Sequence, residues 1–129
     1  MSGAGSSIAR YGQLAGARVL VVEDDVLIGL DLAAMLEAAG CVVLGPLVST
    51  AEALALLRDQ SPDAVLLDLA LVDGLATPVA SLLAGLDIPF ALVSGSDGAD
   101  LDGALASALY VTKPYAADEI TRTVLHLLR

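Results

Sequence analysis

The stretch that decides the fold is Pro62-Asp63-Ala64-Val65-Leu66-Leu67-Asp68-Leu69. Its apolar run has the length of a β-strand, follows a proline turn and ends at a carboxylate, which is typical of a strand buried on both faces of a parallel sheet. A charge at that position is costly unless it lies at the sheet edge, beside water or a ligand. Because open α/β sheets bind ligands at the carboxyl ends of their strands, Asp68 is a candidate site residue. The alternative is an aspartate that only ends the strand and starts a turn.

The composition is that of one soluble domain. The 129 residues are 57% hydrophobic, with a mean hydropathy of +0.79, and they suffice for one buried core. No uncharged apolar run approaches the roughly 20 residues of a membrane span, and no signal peptide opens the chain. We therefore expect a cytoplasmic protein without membrane contact. The net charge of −10 argues against nucleic-acid binding, which requires basic surfaces.

The single cysteine and the single histidine carry no predicted chemistry. Cys41 has no partner within the chain for a disulfide, so we expect an inert thiol in the core. His126 has no second histidine or cysteine near it in the sequence, and we expect a solvated helix residue.

Five apolar runs follow a Gly- and Ser-rich start, residues 1–16, which we predict to be a flexible tail. The predicted strands cover residues 18–22, 41–44, 90–94 and 110–112, together with the central apolar run that ends at Asp68. Helical patterns separate them, and this alternation predicts a doubly wound parallel α/β sheet.

The helical patterns differ in clarity. Residues 26–39 carry apolar residues at helical spacing, namely Leu27, Leu30, Ala34 and Ala38. Further helices are predicted from a capping box at Ser49 to residue 58, after Thr77 as N-cap, and over residues 117–128. The glycines between residues 95 and 103 leave room for only a short helix around residues 102–107.

Polar residues of a particular kind stand at the ends of four predicted strands: Glu23 and Asp24, then Asp68, Ser94 and Lys113. Right-handed βα crossovers bring these ends to one edge of the sheet. Three clustered carboxylates repel one another unless a cation neutralises them, and Mg²⁺ prefers such oxygen ligands. The set suits attack by the Asp68 carboxylate on a phosphoryl group, whose oxygens Mg²⁺ and Lys113 would neutralise and Ser94 would hydrogen-bond.

These residues give the chain a family resemblance. The runs Val19-Leu20-Val21-Val22-Glu23-Asp24-Asp25 and Lys113-Pro114-Tyr115, with the Asp68 strand between them, resemble the receiver domain of bacterial two-component response regulators. The resemblance covers residues 17–129. It implies a flavodoxin-like five-stranded sheet of order 2-1-3-4-5, with the fourth helix short or irregular.

The resemblance also implies roles for individual residues. Asp68 would be the phosphoacceptor, and Glu23, Asp24, Asp68 and the backbone carbonyl of Ala70 would hold Mg²⁺. Ser94 and Lys113 would contact the phosphoryl group, and the Lys113-Pro114 peptide would be cis. Tyr110 would be the aromatic switch residue, unless it is a fixed aromatic on an edge strand.

The short segments on either side of Ser94 resemble a subclass of alphaproteobacterial single-domain regulators. Members of that subclass carry a Phe-Ala-Thr-Gly motif where this chain has Leu92-Val93-Ser94-Gly95. Because no second domain follows the last predicted helix, we expect a stand-alone regulator that signals by protein contact. Its partners would be a histidine kinase or histidine phosphotransfer protein and a downstream protein target.

Two other functions fit parts of the same pattern. A phosphorylation-independent interaction module with the receiver shape is the alternative, and the complete Asp68, Ser94 and Lys113 set argues against it. A phosphatase of the haloacid-dehalogenase type needs a second aspartate two residues after the nucleophile, where this chain has Ala70. We therefore expect a signalling domain rather than an enzyme with a separate substrate.

Overall fold

Five apolar segments pair as one parallel sheet in the computed structural model, which describes residues 12–95, 103–106 and 108–129. Within these ranges the strands are β1 (Arg18–Val22), β2 (Val42–Leu47), β3 (Ala64–Leu67), β4 (Ala70–Leu71), β5 (Gly74–Leu75), β6 (Phe90–Ser94) and β7 (Leu109–Thr112). The sheet has the order β2-β1-β3-β6-β7, while β4 and β5 form a separate antiparallel hairpin. The predicted doubly wound topology is confirmed, and β3 lies at its centre as expected.

Helices cover both faces of the sheet. In the described part of the chain they are α1 (Val26–Ala38), α2 (Thr50–Asp59), α3 (Thr77–Gly85) and α4 (Ala117–Leu127). Alternate residues of β1 point to opposite sides, so that Val19 and Val21 pack with α1 and α4, whereas Leu20 and Val22 pack with α2 and α3. The sheet is therefore buried on both faces, as continuous apolar strands require.

The apolar residues whose spacing predicts α1 do not form its buried face. Gly29, Leu32, Ala33 and Leu36 face the core, whereas Leu27 and Leu30 are 78% and 53% exposed. The helix is apolar on nearly every side, so residue spacing alone does not select the face that meets the sheet. At Gly29, an added Cβ would lie 2.9 Å from Cβ of Pro46, which shows how closely this face approaches β2.

The predicted tail is wrong for its last residues. Residues Gly12–Leu14 form a 3₁₀ turn, and the Leu14 side chain is fully buried in the cluster that contains α1 and α4. Gly16 N donates to Gly40 O at 2.8 Å, which ties this segment to the loop after α1. Burial of one leucine thus outweighs the glycine-rich composition around it; residues 1–11 lie outside the described residues.

Other boundaries move by a few residues. The second strand extends to Leu47 rather than residue 44, through a cis Gly45-Pro46 peptide. Helix α3 begins at Thr77 with Ala76 as its N-cap, so Thr77 is not the cap. The predicted short fourth helix is a single 3₁₀ turn at Gly103–Leu105, and residues 96–102 and 107 lie outside the described residues.

Two expectations about individual residues hold. Cys41 is buried and has no disulfide partner, and burial raises the pKa of its thiol. His126 is exposed on α4. Among the described residues, none of the helices has the length and apolarity needed to cross a bilayer.

Replacing Leu14 tests the packing of the N-terminal turn. Leu14→Ala removes a fully buried side chain and should lower the free energy of unfolding by about 2–5 kcal/mol. Leu27→Ala is the matched control, because a side chain that is 78% exposed should change stability by only about 0.5 kcal/mol or less. Urea denaturation measures both. Equal stability of the two variants would show that Leu14 does not belong to the core.

Candidate functional site

Two neighbouring strands place the acidic residues side by side. Val22 of β1 pairs with Leu67 of β3, so the next residues, Glu23 and Asp68, leave the sheet together at its carboxyl edge. Asp68 N donates to Val22 O at 2.8 Å, and Glu23 N donates to Leu47 O at 2.8 Å. Backbone hydrogen bonds therefore fix both residues before their side chains interact.

Glu23, Asp24 and Asp68 form one carboxylate cluster. One oxygen from each lies within 4.8 Å of the others, a spacing that could hold a metal ion. Glu23 and Asp68 are only 1% and 6% exposed, whereas Asp24 is exposed to solvent. Glu23 and Asp68 are thus shielded from solvent, and the cluster is accessible to solvent at Asp24.

Lys113 brings the positive charge to this cluster. Its Nζ lies 2.7 Å from Glu23 Oε1 and donates to Asp68 Oδ2 at 3.4 Å. The backbone of Lys113 is held by its N–H, which donates to Ser94 O at 2.9 Å, and the following Pro114 peptide is cis, as the family resemblance implies. The predicted partners Glu23, Asp68 and Lys113 therefore meet at one point.

Burial and charge shift the pKa values in this cluster. Burial, together with a hydrogen bond to Asp68, raises the pKa of Glu23 from 4.5 to about 8, although Lys113 opposes the shift. Burial also raises the pKa of Asp68, whereas a hydrogen bond with Asp68 lowers that of Asp24. For Lys113, burial acts to lower the pKa, but the contacts with Glu23 and Asp68 prevail and raise it. Without a metal, Glu23 therefore retains its proton near neutral pH.

The carboxylate of Glu23 has an oxygen that can bind a further ligand. Its Oε2 accepts from Asp25 N at 3.0 Å. Its Oε1 is buried and has no hydrogen bond within the described residues, despite the short ionic contact with Lys113 Nζ. A buried carboxylate oxygen with unused lone pairs, beside two further carboxylates, matches the donor set of a hard divalent cation.

The remaining predicted residues lie at or near the same edge. Ser94 is buried at the end of β6, opposite Thr112 of β7. Tyr110 is half-buried on β7, opposite Leu92. Ala70 lies two residues beyond Asp68, in the first strand of the β4–β5 hairpin. Their assigned roles toward a phosphoryl group or a metal stay predictions.

Sequence reasoning missed one set of contacts near the site. Val72 and Asp73 form the turn of the β4–β5 hairpin, and Asp73 accepts hydrogen bonds from Thr50 N at 2.7 Å and Ala51 N at 3.1 Å, at the start of α2. An Asp-Gly pair signals a turn, but no local signal indicates a partner more than 20 residues away.

Comparison with solved structures identifies close relatives, whereas no protein-family model and no curated protein matches the sequence. SdrG from Sphingomonas melonis Fr1 is 33% identical with a TM-score of 0.76, and the match covers 88% of this chain and 98% of SdrG. The BeF₃-activated conformation of SdrG matches at 34% identity and a TM-score of 0.74, over 89% of this chain and 98% of that one.

Two further structures extend the comparison. The response regulator PhyR from Brucella abortus is 26% identical with a TM-score of 0.78; the match covers 96% of this chain but spans only 52% of PhyR. A CheY-like response regulator receiver domain from Methylobacillus flagellatus, at 23% identity and a TM-score of 0.71 over 88% of this chain and 99% of that one, shares the fold. With SdrG matched at 33% identity over almost its full length, the chain belongs to the receiver-domain family of response regulators.

Proposed function

We propose that this receiver domain accepts a phosphoryl group on Asp68, with Mg²⁺ as cofactor. The donor would be the phosphohistidine of a histidine kinase or a histidine phosphotransfer protein. The observation that carries the proposal is the contact of Asp68 Oδ2 with Lys113 Nζ at 3.4 Å inside the carboxylate cluster. A buried carboxylate that faces a fixed cation has both the nucleophile and the charge compensation that phosphoryl transfer needs.

In the proposed transfer an Asp68 oxygen attacks phosphorus, the bond from phosphorus to the donor nitrogen breaks, and the donor imidazole regains its lone pair. The Lys113 ammonium lies where it would neutralise negative charge on the phosphoryl oxygens. The Ser94 hydroxyl, buried at the end of β6, would donate a hydrogen bond to one of them. Asp68 is then the phosphoacceptor of a signalling domain and not a residue that turns over a separate substrate.

Glu23, Asp24, Asp68 and the Ala70 carbonyl would hold Mg²⁺. The fit rests on the under-used Oε1 of Glu23 and on three carboxylates within 4.8 Å of one another. When bound, Mg²⁺ would offset the negative charge that the carboxylates and a phosphoryl group bring together. Oxygen ligands and partial access from solvent favour Mg²⁺ over thiolate- or imidazole-preferring metals.

Exposed apolar residues support output and input by protein contact. Val26, Leu27 and Leu30 of α1 are 58%, 78% and 53% exposed, and Val72 and Leu75 of the hairpin are 65% and 61% exposed. Both elements begin directly after strands that end at the site. Apolar groups around a charged centre are typical of a surface that a protein partner covers. Tyr110 would report the phosphorylated state to a downstream protein target, as its place on β7 permits.

Phosphorylation by a small donor tests the assignment. With acetyl phosphate and Mg²⁺, the protein should gain one phosphoryl group, and Asp68→Asn should gain none because the amide is not a nucleophile. Intact-protein mass spectrometry measures the gain. Asp63→Asn, at the other end of β3, is the matched control and should be labelled like the unchanged protein. Full labelling of Asp68→Asn would contradict the proposal, and an unlabelled wild-type protein would favour a phosphorylation-independent module.

Thermal unfolding tests the metal site through its pH dependence. Because the folded-state pKa of Glu23 is raised from 4.5 to about 8, the metal-free protein should lose stability as pH rises through that window. Protons compete with the metal below pH 8, so Mg²⁺ should raise Tm more at pH 8 than at pH 6.

The control for this measurement is Asp24→Asn, which removes one carboxylate of the cluster and should greatly reduce the Mg²⁺-dependent increase in Tm. The raised pKa of Lys113 does not alter the expectation, because its contribution is lost only at pH above the ordinary lysine pKa of 10.5. A Tm that millimolar Mg²⁺ leaves unchanged at both pH values would contradict the metal site.

A further inference from the structure

The start of helix α2 depends on a residue from outside the helix. The capping box satisfies part of this end: Glu52 N donates to Ser49 Oγ at 3.0 Å, and Val48 N donates to Glu52 Oε1 at 3.0 Å. The amides of Thr50 and Ala51 have no acceptor in that box. Asp73 Oδ1 and Oδ2 accept from them at 2.7 and 3.1 Å, so one carboxylate completes the helix end.

The same contacts hold the hairpin. Asp73 lies in its turn and is followed by Gly74, the first residue of β5, which adopts φ +128°, a conformation that favours glycine. Two more bonds join the hairpin to the start of α2, from Val72 N to Val48 O at 3.3 Å and from Thr50 Oγ1 to Leu75 O at 3.4 Å. We call the two Asp73 hydrogen bonds the Asp73 latch. These four hydrogen bonds join the hairpin, which follows Asp68, to the start of α2, in addition to the pairing between its own two strands.

The Asp73 latch bears on the site because the hairpin contains Ala70, whose carbonyl is a proposed metal ligand. Ala70 opens β4, pairs with Leu75 across the hairpin and lies two residues beyond Asp68. The hairpin contains only two residue pairs, and two-stranded ribbons of this size are not stable on their own. The Ala70 backbone is also held by the buried Leu71 and by Ala76 N, which donates to Leu69 O at 2.8 Å. Among the hydrogen bonds that join the hairpin to the start of α2, the two at Asp73 are the shortest.

We propose that Asp73 is a positioning residue for the metal and phosphoryl site, acting by fixing the hairpin that presents the backbone carbonyl of Ala70. The inference rests on the proposed function, in which that carbonyl is a metal ligand. Interactions that orient a ligand commonly change metal affinity when they are removed, although they do not touch the metal. The two amide donors also lower the pKa of Asp73, so its carboxyl group is ionised at neutral pH.

Mg²⁺ titration of three variants, followed by backbone amide NMR, tests the inference. Asp73→Ala removes both acceptors and should raise the dissociation constant for Mg²⁺ roughly tenfold. Asp73→Asn keeps one acceptor oxygen and should lie between Asp73→Ala and the unchanged protein. Because both variants lose the same charge, a difference between them reports on hydrogen bonding and not on the overall field.

Asp63→Ala is the matched control. Asp63 is also an exposed carboxylate that accepts a backbone amide, from Arg18 N at 2.8 Å, but it precedes β3 and so lies at the opposite edge of the sheet. Its loss should change Mg²⁺ affinity by about twofold or less, since a distant exposed charge is screened by salt. A second readout is amide exchange at Val72 and Leu75, which should accelerate in Asp73→Ala without metal and stay unchanged in Asp63→Ala.

The possible outcomes distinguish failure of the positioning role of Asp73 from failure of the proposed metal site. Normal Mg²⁺ binding by the unchanged protein, with equal affinities in Asp73→Ala and Asp63→Ala, would overturn the positioning role alone. Equal weakening in Asp73→Ala and Asp73→Asn would also overturn it, because charge and not the latch would then be the cause. Absence of Mg²⁺ binding to the unchanged protein would overturn the proposed metal site and this inference with it.

Discussion

The site depends on one buried contact, in which Lys113 Nζ lies 2.7 Å from Glu23 Oε1 and 3.4 Å from Asp68 Oδ2. The contact spans the sheet, because β7 is separated from β3 by β6. Leaving a buried charge without its partner costs about 3–5 kcal/mol, so the lysine and the carboxylates hold each other in place. Tyr115, two residues after Lys113, packs against the core.

The carboxylate cluster at the carboxyl edge of the sheet lowers the stability of the metal-free protein, although the proposed function requires it. Burial raises the pKa of Glu23 and of Asp68, so the metal-free protein loses stability as pH rises, yet in the proposed function the same two carboxylates would provide a nucleophile and metal ligands. The rest of the domain is stabilised by a sheet that is buried on both faces and by a hairpin that is hydrogen-bonded to the start of α2. Such local conflicts are expected where a protein carries a site rather than only a fold.

The sequence predicts the sheet and the acidic edge well because both follow from local patterns: continuous apolar strands and polar residues directly after them. It fails where a choice depends on tertiary packing. Helix α1 is apolar on nearly every side, so its pattern does not reveal which side meets the sheet, and Leu27 of the predicted pattern is 78% exposed. Leu14 is buried despite glycine-rich neighbours, and Asp73 bonds to amides 22 and 23 residues away, which no local rule indicates.

Chemical localisation of the phosphoryl group tests the central claim most directly. Borohydride reduces an aspartyl phosphate to homoserine, which mass spectrometry of peptides can assign to one position. After treatment with a phosphohistidine donor and Mg²⁺, we expect homoserine at residue 68 and at no other aspartate. Homoserine at Asp24 or elsewhere, with residue 68 unchanged, would contradict the assignment of Asp68 as the phosphoacceptor.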